Sequence, residues 1–128
     1  MTQSGLERLE VWQKAMAFVE TVYRDIIPHL PPHERFALRS QLQRAVQSIP
    51  ANLAEGYGRY HFPDQIRFCY IARGSAEEVF TFLELAHRLH YIPDEVHQRS
   101  LQDLYRLKQM INGYIRYLRS KQDAQRPK

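Results

Sequence analysis

Apolar residues in this chain recur every three to four positions and nowhere alternate, a pattern that predicts helices and no strand. Prolines cut the pattern into four segments. The first covers 9–27, ends against Pro28 and is closed by Pro31 and Pro32; Trp12, Ala15, Met16, Val19, Val22, Tyr23 and Ile26 form its stripe, with Val11 and Phe18 beside it. The second covers 33–58, with Leu38, Leu42, Ala45, Ile49 and Leu53 on one side. The third, 63–90, opens on Pro63, which suits a first helical position, and Asp64 complements the positive end of the helix dipole. The fourth, 94–121, follows Tyr91-Ile92-Pro93 and carries Asp94 and Glu95 in its first turn. Residues 122–128 read as a frayed polar tail. Short connections make successive long helices antiparallel neighbours. The expected architecture is all-α: one domain over 1–128, folded as an up-down-up-down antiparallel four-helix bundle.

The stripes differ in width. Helix 4 has a narrow seam, Leu104, Leu107, Ile111, Tyr114 and Leu118, spaced like the a and d positions of a coiled coil. Helix 3 has two: Ile66, Cys69, Ala76, Phe80 and Leu83, and beside them Phe68, Ala72, Ser75, Val79, Phe82, Ala86 and Leu89. A helix facing one core needs an apolar face of roughly 100°. Helices 1 and 3 exceed it, which suggests a second buried surface between subunits. The alternative is that Phe68 and Phe82 cap the ends of the bundle.

One stretch interrupts the second segment: Ser48-Ile49-Pro50-Ala51-Asn52-Leu53-Ala54-Glu55-Gly56-Tyr57-Gly58-Arg59. Pro50 lacks the N–H that would bond the Val46 carbonyl, and its ring crowds that turn, so a kink or a restart is expected there. Asn52 and Glu55, three apart, can share polar partners, among them the freed carbonyl or an arginine of a neighbouring helix. Gly56 permits close helix approach and Gly58 suits the helix exit. These five residues read as architecture, with Arg59 at the edge as the functional member.

Composition narrows the function. With 128 residues, 44% hydrophobic and 25% charged, the chain can bury a core without staples. Cys69 is the only cysteine, which rules out an internal disulfide and a cysteine-based zinc site. There is no leader pattern and no apolar run that could span a bilayer, so a cytoplasmic protein without membrane association is expected. Fourteen of the eighteen cations are arginine, the side chain that grips phosphate bidentately and stacks on rings. Codon bias or a heat-adapted source would produce the same excess.

Enzyme chemistry finds little support. Glu84-Leu85-Ala86-His87 resembles half of a di-iron site, but the second Glu-x-x-His is missing, since Glu95 and His97 are two apart. His87 and His90 lack a third ligand and suit the negative helix end instead. Cys69 lies on an apolar face as an inert thiol, and Ser48 and Ser75 have no histidine and aspartate arranged around them. No phosphate-cradling loop follows a strand. Neither metal nor cofactor is expected, and a metal-dependent bundle enzyme is the weakest of the readings.

Charge is more informative. Arg67, Tyr70 and Arg73 follow one another by threes near Arg59-Tyr60, and helix 4 ends in Arg116, Tyr117, Arg119 and Lys121. Cations interleaved with aromatics neutralise phosphates and stack on unpaired bases. The alternative is structural: Arg73 pairing with Glu77, and the helix 4 cluster complementing its dipole. A net charge of +4 becomes a substantial field if copies repeat around a ring.

The segment Ser48 to Arg59, together with Leu9-Glu10-Val11-Trp12-Gln13-Lys14-Ala15, Arg39-Ser40-Gln41-Leu42-Gln43-Arg44-Ala45, Tyr70-Ile71-Ala72-Arg73-Gly74-Ser75 and Asn112-Gly113, resembles the bacterial four helix bundle protein family, also called 23S ribosomal RNA intervening-sequence proteins. The resemblance runs from Leu9 to about Leu118. It implies a homopentameric barrel with a basic surface, similar to the accessory variability determinants of diversity-generating retroelements, which bind a reverse transcriptase and its template RNA. Tyr60-His61-Phe62-Pro63 departs from the family's basic, serine-containing turn. The expectation is a non-enzymatic homo-oligomer that binds RNA or DNA, or scaffolds a polymerase, through Arg59, Arg67, Arg73, Arg116 and Arg119. A protein-protein adaptor that binds no nucleic acid is the competing reading.

Overall fold

The structure, a computed structural model, describes residues 5–125. Four helices carry it: α1 (Glu10–Asp25), α2 (Leu38–Tyr57), α3 (Phe62–Arg88) and α4 (Asp94–Ala124). Short 3-10 turns lie at Gly5–Arg8, Ile27–His29 and Pro32–Glu34, and the described residues contain no strand. The helices form a ring in which α3 packs most extensively on α2 and then on α4, and α1 closes the gap between α2 and α4. Neighbours run antiparallel. Ser48 meets Ser75 at one level of α2 and α3 while Gly56 meets Gln65 further along. Likewise Arg73 reaches Asn112, and His97 reaches Glu84.

α2 begins at Leu38, five residues later than its apolar pattern suggests. Pro31 and Pro32 start a tight turn, and Ala37 (φ −124°, ψ −105°) lies outside the helical region. Glu34 ends that turn with one carboxylate oxygen accepting the Leu38 N–H at 3.4 Å and the other accepting the Tyr91 hydroxyl at 2.9 Å. The start of α2 is thus tied to the α3–α4 corner. α3 stops at Arg88, two residues early, because His90 turns into the left-handed region (φ 62°). The His90 N–H then bonds the His87 carbonyl and the Tyr91 N–H bonds that of Ala86, a Schellman cap built on a non-glycine residue. α4 continues through Ala124, so its sequence-based end at 121 is too short and 122–124 are helix rather than tail; 126–128 lie outside the described residues. Pro50 is buried within α2, which stays helical from Leu38 to Tyr57 without a restart.

The core confirms the α2 stripe, from Leu38 to Leu53, and most of the α4 seam, where Ile115 is buried and Tyr114 only partly. α1 is confirmed in part. Val11, Ala15, Phe18 and Val22 are buried, whereas Met16 and Tyr23 are 38% and 37% exposed, and Trp12 and Val19 lie at the edge. In α3 the two stripes merge: Ala72, Ser75, Val79 and Ala86 of the second are buried along with Ile66, Cys69, Ala76 and Leu83 of the first. The small residues let α3 contact two neighbours at once. Its broad apolar face is therefore largely consumed within one chain, and the apolar surface left over is Ile71, Phe80, Leu85 and Leu89.

Candidate nucleic-acid interface

The end of α2 and the start of α3 meet at a sharp corner. Gly58 caps α2 with φ −77°, a conformation open to any residue. Gly56 is the constrained position: a Cβ there would stand 2.9 Å from both the Gln65 carbonyl oxygen and the Phe68 Cβ. The corner is held by the Gln65 side-chain amide donating to the Arg59 carbonyl at 2.7 Å and by the Arg59 N–H bonding that of Gly56. Asn52 donates to its own helix, to the Ser48 carbonyl and hydroxyl at 2.8 Å each, rather than to the Val46 carbonyl. Ser48 in turn bonds Ser75 of α3 at 2.8 Å. Glu55 shares no partner with Asn52 and pairs with Arg59 at 2.6 Å.

Four of the five arginines singled out above converge on two rings. Arg59 and Arg67 lie over Phe68, at 5.0 and 5.1 Å from its centre. Arg73 and Arg119 lie over Tyr70, at 4.7 and 5.4 Å. Phe68 and Tyr70 are two apart on α3, so one pair gathers at the α2 seam and the other at the α4 seam. Arg73 also donates to Asn112 at 2.9 Å, which corrects the expected pairing with Glu77; Glu77 is bound by Lys108 of α4 instead. Arg116 is exposed one turn before Arg119, its guanidinium near Gly113, and joins neither ring. Among the described residues, no carboxylate lies within ion-pair distance of Arg67 or Arg116. Lys121 lies over Tyr117, 5.6 Å from its ring centre.

This arrangement can bind anions without first ordering flexible chains. Arg67 and Arg119 have one face against a ring and their N–H edges left for phosphate oxygens, while Arg59 and Arg73 have part of theirs taken by Glu55 and Asn112. The convergence on shared rings was not legible in the sequence for Arg59, which comes from the α2–α3 connection, or for Arg119, which comes from α4. The Arg67-Tyr70-Arg73 spacing gave the only local signal.

The opposite end of the bundle is histidine-rich. His87 and His97 stack face to face, with centres 3.8 Å apart and planes 1° from parallel. Each reaches a carboxylate, His87 to Asp94 at 2.7 Å and His97 to Glu84 at 2.8 Å. The bond from His87 holds the Asp94 carboxyl below its usual range. His90 turns the corner after α3 in the left-handed region. Among the described residues no three histidine, cysteine or carboxylate side chains are grouped to hold a metal ion. No described helix is long and apolar enough to cross a membrane.

Cys69 lies inside, and burial pushes its thiol up to about 11; Tyr114 is pushed up to about 12, chiefly by burial. In native protein at pH 8 a thiol reagent should therefore label Cys69 only through opening of the bundle, and stoichiometrically in denaturant; fast native labelling would contradict this. The linkage has one sign. The unfolded thiol ionises near 9.0, so the unfolded chain loses its proton first. Stability is full below that pH and declines as pH rises toward 11, which urea midpoints across the range will follow.

A family model for 23S rRNA-intervening sequence proteins matches residues 7–113. Among solved structures, a protein of unknown function from the S23 ribosomal protein family of Bacteroides thetaiotaomicron VPI-5482 is similar at 25% identity and a TM-score of 0.75. The likeness covers 82% of this chain and 97% of that one. A comparison with curated proteins finds no match. The match spans both arginine-bearing seams except Arg116 and Arg119, and all four helices at least in part; the chain belongs to the 23S rRNA-intervening sequence protein family.

Proposed function

We propose that the protein is a non-enzymatic nucleic-acid-binding scaffold, with RNA as its first ligand. The observation that carries this is the pairing of Arg59 and Arg67 on Phe68 and of Arg73 and Arg119 on Tyr70. Copies assemble into a homo-oligomer, a pentamer by family resemblance, through the apolar side chains left outside on α1 and α3, Met16, Tyr23, Ile71 and Leu85 among them. Repetition multiplies a modest charge into a field that attracts polyanions. A bend of α2 at Pro50 orients the corner that carries Arg59. In the fuller version of this reading the RNA is a retroelement template and the partner a reverse transcriptase.

A filter-binding titration tests it. Phosphate contacts release counterions, so log K should fall linearly with log salt, with a slope of about −2 for roughly three contacts to a single strand. An absent or salt-independent shift would sink the proposal. Light scattering tests the assembly separately, and the mass of one chain would overturn it.

A second reading rests on a groove of about 610 Å³ between α3 and α4, floored by Leu101 and Leu104 and flanked by Phe80 and Tyr105. A groove with this apolar floor and a rim of Gln102, Arg106, Lys108 and Gln109 suits a protein partner. Under that reading the molecule is an adaptor, and a partner captured in a pull-down survives nuclease treatment.

A further inference from the structure

We infer that the arginine-bearing end selects unpaired strands over duplex, with Tyr60 as the ring on which a base stacks; this rests on the nucleic-acid reading above. The rings at this end fall into two groups. Phe68 and Tyr70 already carry arginines, so their role is to hold cations. Tyr60 is different. It is 90% exposed, no cation of the described residues lies over it, and its ring contact is edge-to-face with the adjacent His61, at 5.0 Å and 89°.

Its position makes the exposure useful. Tyr60 follows Arg59 directly, at a corner pinned by the Gln65 amide on the Arg59 carbonyl and by the Gln65 N–H on the His61 carbonyl. A backbone fixed on both sides of the ring leaves little freedom to lose when a base settles on it. Arg59 and Arg67 both lie over Phe68, close to the α2–α3 corner. A phosphate held by them places a neighbouring nucleotide within a residue's reach of Tyr60.

Duplex and single strand separate at this point. Both present phosphates, so arginine contacts alone bind either and discriminate little. Only an unpaired base offers a free face, because in a duplex the faces are stacked on one another. A ring as exposed as Tyr60 rewards the first and gains nothing from the second. Tyr60 therefore adds affinity for single strands alone, about ten-fold by the usual value of a base–aromatic stack.

Fluorescence anisotropy will test this, with a labelled oligouridylate of about twenty nucleotides, a length that spans a single-strand site, alone and annealed to oligoadenylate at one fixed salt concentration. The expected result is about ten-fold tighter binding of the single strand. Tyr60→Ala should remove most of that difference by weakening single-strand binding and leaving the duplex unchanged, whereas Tyr60→Phe keeps the ring and the preference. Equal affinity for the two forms overturns the inference while leaving the nucleic-acid reading intact. So does a Tyr60→Ala variant that weakens both equally or leaves the preference in place. If neither form binds, the underlying reading fails and the preference with it. An unchanged thermal melt of both variants, expected for so exposed a side chain, excludes misfolding as the cause.

Discussion

Gly56→Ala lowers the urea midpoint of unfolding, although the same substitution at Gly74 raises it. Both glycines lie inside helices, where alanine ordinarily gains about 0.5–1 kcal/mol by restricting the unfolded chain and improving helix propensity. Around Gly74 nothing lies within 4 Å of the added carbon, so the gain is realised in full. At Gly56 the added carbon meets the Gln65 carbonyl oxygen and the Phe68 Cβ, each at 2.9 Å. Neither can swing aside, since one is α3 backbone and the other is attached directly to it. The helices must separate, and overpacking of this sort costs about 1–3 kcal/mol, more than propensity returns. The displacement also shifts Phe68, on which Arg59 and Arg67 rest. A Gly56→Ala midpoint at or above wild type would mean that α2 and α3 do not approach this closely.

Reversing Arg67 and Arg119 together to glutamate should weaken RNA binding about 100-fold, with each lost charge-assisted phosphate contact worth roughly 1.5 kcal/mol or more. The slope of log K against log salt should flatten by about 0.7 for each arginine. Both side chains are exposed, so the fold is retained. Arg59→Glu alone should do less than Arg67→Glu, because Arg59 is already partly neutralised by Glu55 at 2.6 Å. Arg73→Glu is expected to cost stability as well as binding, since it breaks the bond to Asn112 that joins α3 to α4. Equal effects of Arg59→Glu and Arg67→Glu would show that the Glu55 pair does not attenuate its arginine.

How far the sequence led differs from element to element. The α2 stripe was legible because that helix has one apolar side only, and all five of its residues are buried. α1 was legible in part: Ala15, Val22 and Ile26 of the expected stripe are buried, but Trp12, Met16, Val19 and Tyr23 lie at the edge or outside, and Val11 and Phe18, placed beside the stripe, are inside. Periodicity shows that a helix has an apolar face, and the packing neighbours α2 and α4 decide which side is turned inward. In α3 much of the width serves two neighbours within one chain, and Ile71, Phe80 and Leu85 are the apolar residues it leaves outside. The start of α2 was missed because its determinant, Tyr91 holding Glu34, lies 57 residues away. Likewise the Glu84–His97 contact spans a corner whose geometry depends on the left-handed turn at His90.

Local spacing within the sequence therefore determined the four helices, their order, their antiparallel course and the concentration of arginine and tyrosine near the α2–α3 corner and the end of α4. The family, too, follows from the order of its motifs along the chain. Tertiary structure alone decided which apolar face is inside, that Asn112 rather than Glu77 takes Arg73, and that arginines from α3, α4 and the α2–α3 connection share two rings of α3. The physical reason is the range of the forces involved. Helix formation depends on residues three and four apart, which a sequence displays directly. Cross-helix partners depend on register, set here by close packing at Gly56 and by the capped corner at His90.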